Sequence, residues 1–237
     1  MAFDGLAVLV NPKNDWTTCI KVSELKKIWE PEAQGKVTTW KQANDSYPDK
    51  PLVLFGAGTD SGTFDYFTEA ITGKSKSSRG DFQASEDDNV LVAGIAGETN
   101  AMGFFGYAYL VENPDKLKAV AIDYDITPKD GKPSKYAGKC VTPSFETIKD
   151  GTYQPLSRPL FIYVKKEAAQ RPEVKAYVNY YLSQSFTPLI QSREVGYVEL
   201  ERNIYEAGAK RFNDGVLGTL FPKGEEVGAT LDRYLGK

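Results

Sequence analysis

The sequence predicts an α/β fold with a mainly parallel sheet, and three observations lead to this prediction. Short apolar runs such as residues 6–10, 51–55 and 119–122 have the length and the composition of buried strands. Between them lie stretches in which apolar residues recur at helical spacing. Strands that alternate with helices along a chain favour crossover connections and therefore parallel neighbours.

Each element of the first part of the chain has a local signal. Residues 6–10 are apolar and end at an Asn-Pro pair, so we expect a buried strand there. Ser23 is the expected cap of a helix that runs to Glu30, because a proline follows that residue. Residues 51–55 form the next expected strand. The glycine-rich turn 56–63 then leads into an amphipathic helix.

The middle of the chain follows the same alternation. Residues 73–85 are polar and predict a mobile excursion. Ser85, together with the acidic pair Asp87-Asp88, predicts the start of a helix over residues 90–95. After it we expect a strand at 102–105, a short helix from 107 to 110, a strand at 119–122 and a loop over 125–143.

The C-terminal part is expected to hold one more strand and three helices. The apolar run 160–164 predicts the strand. Pro172 is favourable at a first helical position, and apolar residues recur at helical spacing from there to Leu182. Residues 199–212 predict the next helix. In 223–237 three apolar residues spaced by four predict a short docking helix.

Composition narrows the possible functions. The chain of 237 residues has no histidine, which excludes histidine general bases, Ser-His-Asp triads and most zinc sites. A net charge of −3 without long basic runs speaks against nucleic acid or an anionic membrane as a partner. We expect no cofactor and no metal. Cys19 and Cys140 form either a disulfide or two buried thiols.

The N-terminal residues lack the pattern of a targeting segment. The chain opens with Met-Ala-Phe-Asp-Gly and has neither a basic n-region nor a long apolar stretch. We therefore expect no signal peptide in this chain and no transmembrane helix. Either a leader has been removed with other material, or the protein is cytosolic.

The candidate binding motif is Gly58-Thr59-Asp60-Ser61-Gly62-Thr63. It lies where a strand leads into a helix, so unpaired backbone N–H groups and small hydroxyl groups come together. Such a turn suits an oxyanion. An ordinary helix cap explains the same residue types, since Asp and Ser are favoured there in any protein. No lysine follows the glycines, so the turn is not a Walker A loop.

Arg79 is the candidate cation. It lies in a polar stretch without apolar periodicity, and an arginine could supply the bidentate charge that an oxyanion needs. The alternative is an arginine in a solvated loop.

At this point the sequence resembles the phosphate-binding subunits of bacterial phosphate ABC importers. Matching stretches occur in the family's order over nearly the whole chain. They include Asp-Gly-Leu-Ala-Val at 4–8, Asp-Ser-Gly-Thr-Phe-Asp-Tyr-Phe at 60–67, Gly-Phe-Phe-Gly-Tyr at 103–107 and Leu-Ser-Arg-Pro-Leu-Phe-Ile-Tyr-Val at 156–164. The string at 60–67 is far more specific than a lone glycine motif.

The resemblance implies a type II periplasmic-binding fold with two α/β lobes that close on one phosphate ion. Its implied boundaries are 1–22 for the hinge strand and the tail of the first lobe, 23–151 for the second lobe, and 152–237 for the return to the first lobe. The implied partners are inorganic phosphate and a membrane ABC permease, at the periplasmic or extracellular face of the membrane.

The resemblance also implies a set of site residues. Ser61, Gly62 and Thr63 match the family's phosphate-contacting Ser-Gly-Thr, and we add Asp60 to the site. Many relatives have an arginine four residues before that serine, where this chain has Ala57. Arg79 is our hypothesis for its replacement.

The chain departs from the family most at its start. Relatives carry an additional stretch before the Asp-Gly-Leu-Ala strand, with a phosphate-contacting loop and an aspartate that accepts the phosphate proton. We therefore expect an incomplete first lobe and a partial phosphate site. A structural or interaction module with weak or no ligand binding is the alternative. A phosphoryl-transfer enzyme is disfavoured, although Asp60 and Asp65 leave it open.

Overall fold

The computed structural model describes residues 1–126, 134–183, 186, 189–190, 195–219 and 227. The strands of this part are β1 (Ala2–Val10), β2 (Cys19–Lys21), β3 (Val53–Ala57), β4 (Gln83–Ser85), β5 (Ala101–Gly106), β6 (Lys118–Ala119), β7 (Ala121–Asp123), β8 (Cys140–Val141) and β9 (Ser157–Leu160). Its α-helices are α1 (Val22–Trp29), α2 (Trp40–Ala43), α3 (Gly62–Thr72), α4 (Asp88–Gly97), α5 (Tyr107–Glu112), α6 (Phe145–Lys149), α7 (Pro172–Tyr181) and α8 (Arg202–Asn213).

The larger sheet has six strands, and three of them pair with β1. Its order is β4-β3-β5-β1-β6, and β9 pairs with the N-terminal part of β1. β3 runs parallel to both β4 and β5, whereas β1 runs antiparallel to β5, β6 and β9. All strands except β1 therefore run in one direction. This arrangement confirms the predicted α/β fold with mainly parallel strands.

β1 is buried along its whole length because the hydrophobic core continues on both of its faces. Leu6 and Val8 pack into the main cluster, together with the residues of α1 and α3. The intervening Ala7 and Leu9 pack into a second cluster with α4. Successive side chains of a strand point to opposite faces. A strand covered on both sides therefore reads as an unbroken apolar run, which made it predictable.

A smaller sheet has the order β2-β7-β8. β2 and β7 are parallel, and β8 is antiparallel to β7. The predicted single strand 119–122 is thus two short strands, and the chain changes sheets at Val120. A disulfide joins Cys19 of β2 to Cys140 of β8, with 5.8 Å between their Cα atoms. This resolves the choice left open for the two cysteines.

Within the described residues, the predicted helices are present with boundaries shifted by up to three residues, the short helices α2 and α6 were not predicted, and the predicted cap of α1 was wrong. This helix begins at Val22 rather than after a Ser23 cap, and the Glu24 carboxylate accepts a hydrogen bond of 3.0 Å from the Lys21 N–H. The backbone N–H and hydroxyl of Ser23 donate instead to Asp125, at 2.9 and 2.5 Å. Ser23 therefore bonds to a residue distant in sequence instead of capping the helix.

Two further predictions need correction. The polar stretch 73–85 is not a simple excursion, because it carries β4 and buries Arg79. The strand expected at 160–164 ends at Leu160. Leu160 pairs with Ala2, the first residue of β1, so the following residues have passed the end of their partner strand. The predicted helix 223–237 lies outside the described residues except for Val227.

Candidate functional site

The candidate site lies at the edge of the larger sheet where three parallel strands end. β3, β4 and β5 run in the same direction, and α3, α4 and α5 each begin within a few residues of a strand end. In α/β sheets, ligands bind outside the carboxyl ends of parallel strands. Helix N-termini add partial positive charge at this edge.

Ser61 is the N-cap of α3, as predicted. Its Oγ accepts a hydrogen bond of 3.1 Å from the backbone N–H of Thr63, and its carbonyl accepts one from Asp65. A hydroxyl that accepts a bond still has its own proton to donate. The cap and an anion contact are therefore compatible at Ser61. Gly62 is exposed, and Ser61 and Thr63 are half-buried.

Arg158 is the cation at this turn, and sequence reasoning did not select it. Its Nη1 donates to the carbonyl of Gly62 at 2.7 Å. Its Nε and Nη2 donate to Oδ2 of Asp4 at 3.1 and 2.9 Å. Arg158 and Asp4 are register partners on β9 and β1, so the ion pair crosses the sheet directly. A guanidinium has five N–H groups, and no described residue accepts from the other two.

Tyr66, a residue of α3, contacts Arg158 and the segment that carries it. The Arg158 Cζ lies 5.2 Å from the centre of the Tyr66 ring, within the range of a cation–π contact. The Tyr66 hydroxyl lies 2.8 Å from the carbonyl of Pro155 and 2.9 Å from that of Ser157. The first turns of α3 are thereby fixed to the segment that carries Arg158. The guanidinium therefore has a defined position beside Gly62.

Acidic and phenolic groups line the neighbouring side of the site. Burial raises the pKa of Asp88, in the first turn of α4, to about 6, although a hydrogen bond from Tyr109 opposes the rise. The negative charges of Asp87, Asp4 and Glu86 contribute to the same rise. Burial also raises the pKa of Asp4 against the lowering effect of Arg158. Two carboxyl groups with raised pKa values thus accompany one arginine.

Arg79 is engaged elsewhere. Only 4% of this residue is exposed. Its Nη1 donates to the carbonyls of Ile28 and Val37 at 3.1 and 2.9 Å, and its Nε and Nη2 donate to the carboxylate of Asp81. The hydrogen bonds that Asp81 accepts from Arg79 are the main reason that the pKa of Asp81 is lowered to about 2. With four of its five N–H groups used in this way, Arg79 links α1 to the 79–81 segment, and the arginine beside Gly62 is Arg158.

Asp60 lies at the rim of the site. Its side chain is exposed, and its backbone N–H donates to Oε1 of Glu86 at 3.3 Å. The same Glu86 carboxylate occupies the space that a Cβ at Gly58 would need. Glycine at position 58 is therefore explained by a close approach within the protein. A Cβ at Gly62 would meet only Nη1 of Arg158, at 3.8 Å.

The described residues show no metal centre and no membrane span. None of their His, Cys, Asp or Glu side chains form a group of three or more that could hold a metal ion. None of the helices in this part of the chain is long and apolar enough to cross a membrane.

A mixed α/β fold with a polar site at the carboxyl edge of its sheet is typical of proteins that bind small ligands in a cleft. A family model described as the PBP superfamily domain matches residues 1–185. The chain belongs to this superfamily. Both the fold class and the resemblance found in the sequence are thereby confirmed.

Individual relatives support the same assignment. Protein SphX of Synechococcus elongatus is 43% identical over 99% of this chain and 65% of its own length. The phosphate-binding protein PstS of Staphylococcus haemolyticus is 35% identical over 87% of this chain and 58% of its own length. The crystal structure of a possible phosphate-binding protein from Planctomyces limnophilus matches with a TM-score of 0.75 and 44% identity, over 91% of this chain and 71% of that one. The chain thus spans less than two thirds of the length of these two curated relatives.

Proposed function

We propose that this chain binds inorganic phosphate at the N-terminus of α3. The observation that carries the proposal is the position of Arg158, whose guanidinium donates to Gly62 in the first turn of the helix. An arginine beside a helix N-terminus combines a full positive charge with oriented N–H groups, which suits a tetrahedral oxyanion. Similarity to proteins named for phosphate binding supports the choice of phosphate.

In this proposal the contacts come from a compact set of groups. Ser61 and Thr63 donate their hydroxyl protons, and Gly62 lets the ligand approach the backbone. Arg158 supplies its two remaining N–H groups, and replaces Arg79 in our hypothesis. Asp60, at the rim, accepts from a protonated phosphate oxygen, a contact that sulfate cannot offer at neutral pH.

We expect the chain to bind phosphate weakly by itself. Two charge-assisted hydrogen bonds from Arg158 contribute about 3–6 kcal/mol in total before the cost of association. A micromolar Kd requires about 8 kcal/mol, and a millimolar Kd about 4 kcal/mol. The expected Kd therefore lies in the upper micromolar to millimolar range.

An NMR titration tests the proposal. The ¹⁵N-labelled chain is titrated with sodium phosphate up to about 50 mM, well above a millimolar Kd, and with sodium sulfate at matched ionic strength. We expect the Gly62 and Thr63 amide signals to move with phosphate. Ser61→Ala and Thr63→Ala should weaken the response, while Thr59→Ala, an exposed hydroxyl in the same turn, should not. Unmoved amide signals at saturating phosphate would refute phosphate binding by this chain.

The proposed role is transport rather than catalysis. A binding protein of this kind acts at the periplasmic or extracellular face of a membrane and delivers phosphate to an ABC permease, as the family resemblance implies. The rival role, an interaction module without a ligand, predicts an unaltered spectrum in the same titration. Turnover of a phosphate ester that depends on magnesium would instead favour an enzyme.

A further inference from the structure

An acidic segment borders the turn of the proposed phosphate site. The Gly58 N–H donates to the carbonyl of Ser85 at 3.0 Å, and the Asp60 N–H donates to Oε1 of Glu86 at 3.3 Å. The Glu86 side chain also fills the space that a Cβ at Gly58 would need. The next two residues along the chain are aspartates. Three consecutive acidic residues therefore adjoin the turn.

Asp88, the last of the three, differs from its neighbours in its surroundings. It is half-buried, whereas Glu86 and Asp87 are exposed. Asp88 is the first residue of α4, and Asp87 caps this helix by accepting a hydrogen bond of 2.9 Å from the Asn89 N–H. Water screens the charge of an exposed carboxylate more than that of a half-buried one. Among the three, Asp88 therefore has the charge with the longest reach.

The groups that face Asp88 leave its charge uncompensated. The titratable groups around it are Asp4 of β1, Glu86, Asp87, Tyr109 of α5 and Tyr197. Strands β3, β4 and β5, against which α4 packs, contain no titratable residue. Arg158 is already paired with Asp4 at 2.9 Å. In the described part of the chain, no lysine or arginine forms an ion pair with any of the three acidic residues 86–88.

We propose that phosphate binding at this site is coupled to protonation of Asp88, so that the chain binds phosphate more tightly in mildly acidic solution than at neutral pH. The inference rests on the proposed function, because it concerns the regulation of the same site. Its physical origin is the repulsion between a bound anion and an ionised carboxyl group that is only partly screened. A proton on the carboxyl group removes this repulsion.

The coupling acts in both directions. A bound anion disfavours the charged form of a nearby carboxyl group and therefore raises its pKa. By linkage, protonation of that group raises the affinity for the anion by the same factor. The pKa of Asp88 is about 6 in the chain without ligand, so the affinity should be high at about pH 5 and should decline as the pH rises to about 7. We expect a decline of about fivefold, the effect of one partly screened charge.

The NMR titration with sodium phosphate tests the coupling when it is run at about pH 5 and at about pH 7. Phosphate groups change their own charge near these pH values, so the chain and Asp88→Asn are compared at equal pH. Asparagine has nearly the size of aspartate and stays neutral. We expect equal Kd values at the lower pH, and about fivefold tighter binding by the variant at the higher pH. Asp45→Asn, an exposed aspartate in the turn after α2, is the matched control and should bind like the unaltered chain at both.

The carboxyl signal of Asp88 gives a direct readout. With ¹³C-labelled aspartate, its titration midpoint should rise by about 0.7 pH units in saturating phosphate, which corresponds to the same fivefold factor. Tyr109→Phe removes a hydrogen bond that favours the ionised carboxylate, so the midpoint should rise in that variant without phosphate. The decline in phosphate affinity should then move to higher pH. This second variant keeps the carboxyl group, so it tests the coupling even if Asp88→Asn does not fold.

The amide signals of Gly62 and Thr63 separate the two proposals. If they respond to phosphate, and the chain and Asp88→Asn have the same Kd ratio at both pH values, the coupling is overturned and the proposed function stands. An Asp88 midpoint that saturating phosphate leaves unchanged leads to the same conclusion. If the amide signals respond at neither pH, the proposed function fails, and the coupling fails with it.

Discussion

Arg79 and Arg158 each donate to an aspartate and to backbone carbonyl groups, yet they lie in very different surroundings. Arg79 is 4% exposed and donates four hydrogen bonds, two to Asp81 and two to backbone carbonyls near α1. The side chain of Arg158 is 20% exposed and donates three hydrogen bonds, two to Asp4 and one to the Gly62 carbonyl at a helix N-terminus. The difference separates an arginine that stabilises the fold from one with N–H groups left for a ligand.

The largest expected effect is on stability, at Arg79. Arg79→Ala leaves the buried carbonyls of Ile28 and Val37 without donors, and each such loss costs about 1–3 kcal/mol. We expect the free energy of unfolding in urea to fall by about 3 kcal/mol. Phosphate binding of the folded variant should change less than twofold. A stable variant that has lost phosphate binding would reverse the roles assigned to the two arginines.

The next effect is on ligand affinity, at Arg158. Arg158→Lys keeps the positive charge but loses the forked geometry that reaches Asp4 and a ligand together. We expect the phosphate Kd, measured by the NMR titration, to rise about tenfold, which is 1.4 kcal/mol. Arg79→Lys is the matched control and should leave the Kd unchanged. Equal affinities for the two variants would remove Arg158 from the proposed site.

Sequence reasoning reached the turn 58–63 but not the arginine beside it, and the reason is physical. The turn is local, since a strand, glycines and a cap follow one another directly. The contact between Asp4 and Arg158 joins residues 154 apart, and it depends on the register of β1 with β9. The available signal was Asp4, a charged residue within the apolar strand β1. Such a charge is rarely buried without a partner, so an arginine or lysine should have been sought for it. Arg79 was chosen because its neighbours in sequence are polar, whereas its neighbours in space are buried carbonyls.

In the fold, too, elements with a local sequence signal were predictable and elements set by their neighbours were not. β1 contains an unbroken apolar run, α3 carries apolar residues at helical spacing, and α7 begins at a proline, so their positions followed from the sequence. β4 has three half-buried or exposed residues and is a strand only because β3 lies beside it. The early end of β9 likewise depends on where its partner stops. Short edge elements are set by their neighbours rather than by their own composition.

The aspartates of the two regions should respond to pH in opposite directions. The pKa of Asp88 is about 6, above its ordinary value, so the native state binds more protons there than the unfolded chain does. Its contribution to stability is therefore present at low pH and is lost as the pH rises from about 4 to about 6. The pKa of Asp81 is about 2, so its contribution is present above about pH 4 and is lost as the pH falls towards 2.

Urea denaturation from about pH 3 to pH 7 measures both contributions. Asp88→Asn should remove the decline between about pH 4 and pH 6, and Asp81→Asn the decline below about pH 4. Because solvent screens both groups, we expect each change to be no more than about 1 kcal/mol. A pH profile that Asp88→Asn leaves unaltered would contradict the raised pKa at the site.

The smallest effect is expected at Gly62, and it separates the needs of the fold from those of the ligand. A methyl group there meets only Nη1 of Arg158, at the ordinary contact distance of 3.8 Å, so Gly62→Ala should leave the free energy of unfolding within about 0.5 kcal/mol. If phosphate approaches the backbone at this residue, the same methyl group lies in its way, and the Kd should rise about threefold to fivefold. Gly97→Ala, whose added Cβ meets nothing within 4 Å, is the control for a glycine substitution away from the site. An affinity that both variants leave unchanged would move the phosphate away from the first turn of α3, and Arg158 would then be holding the helix rather than the ligand.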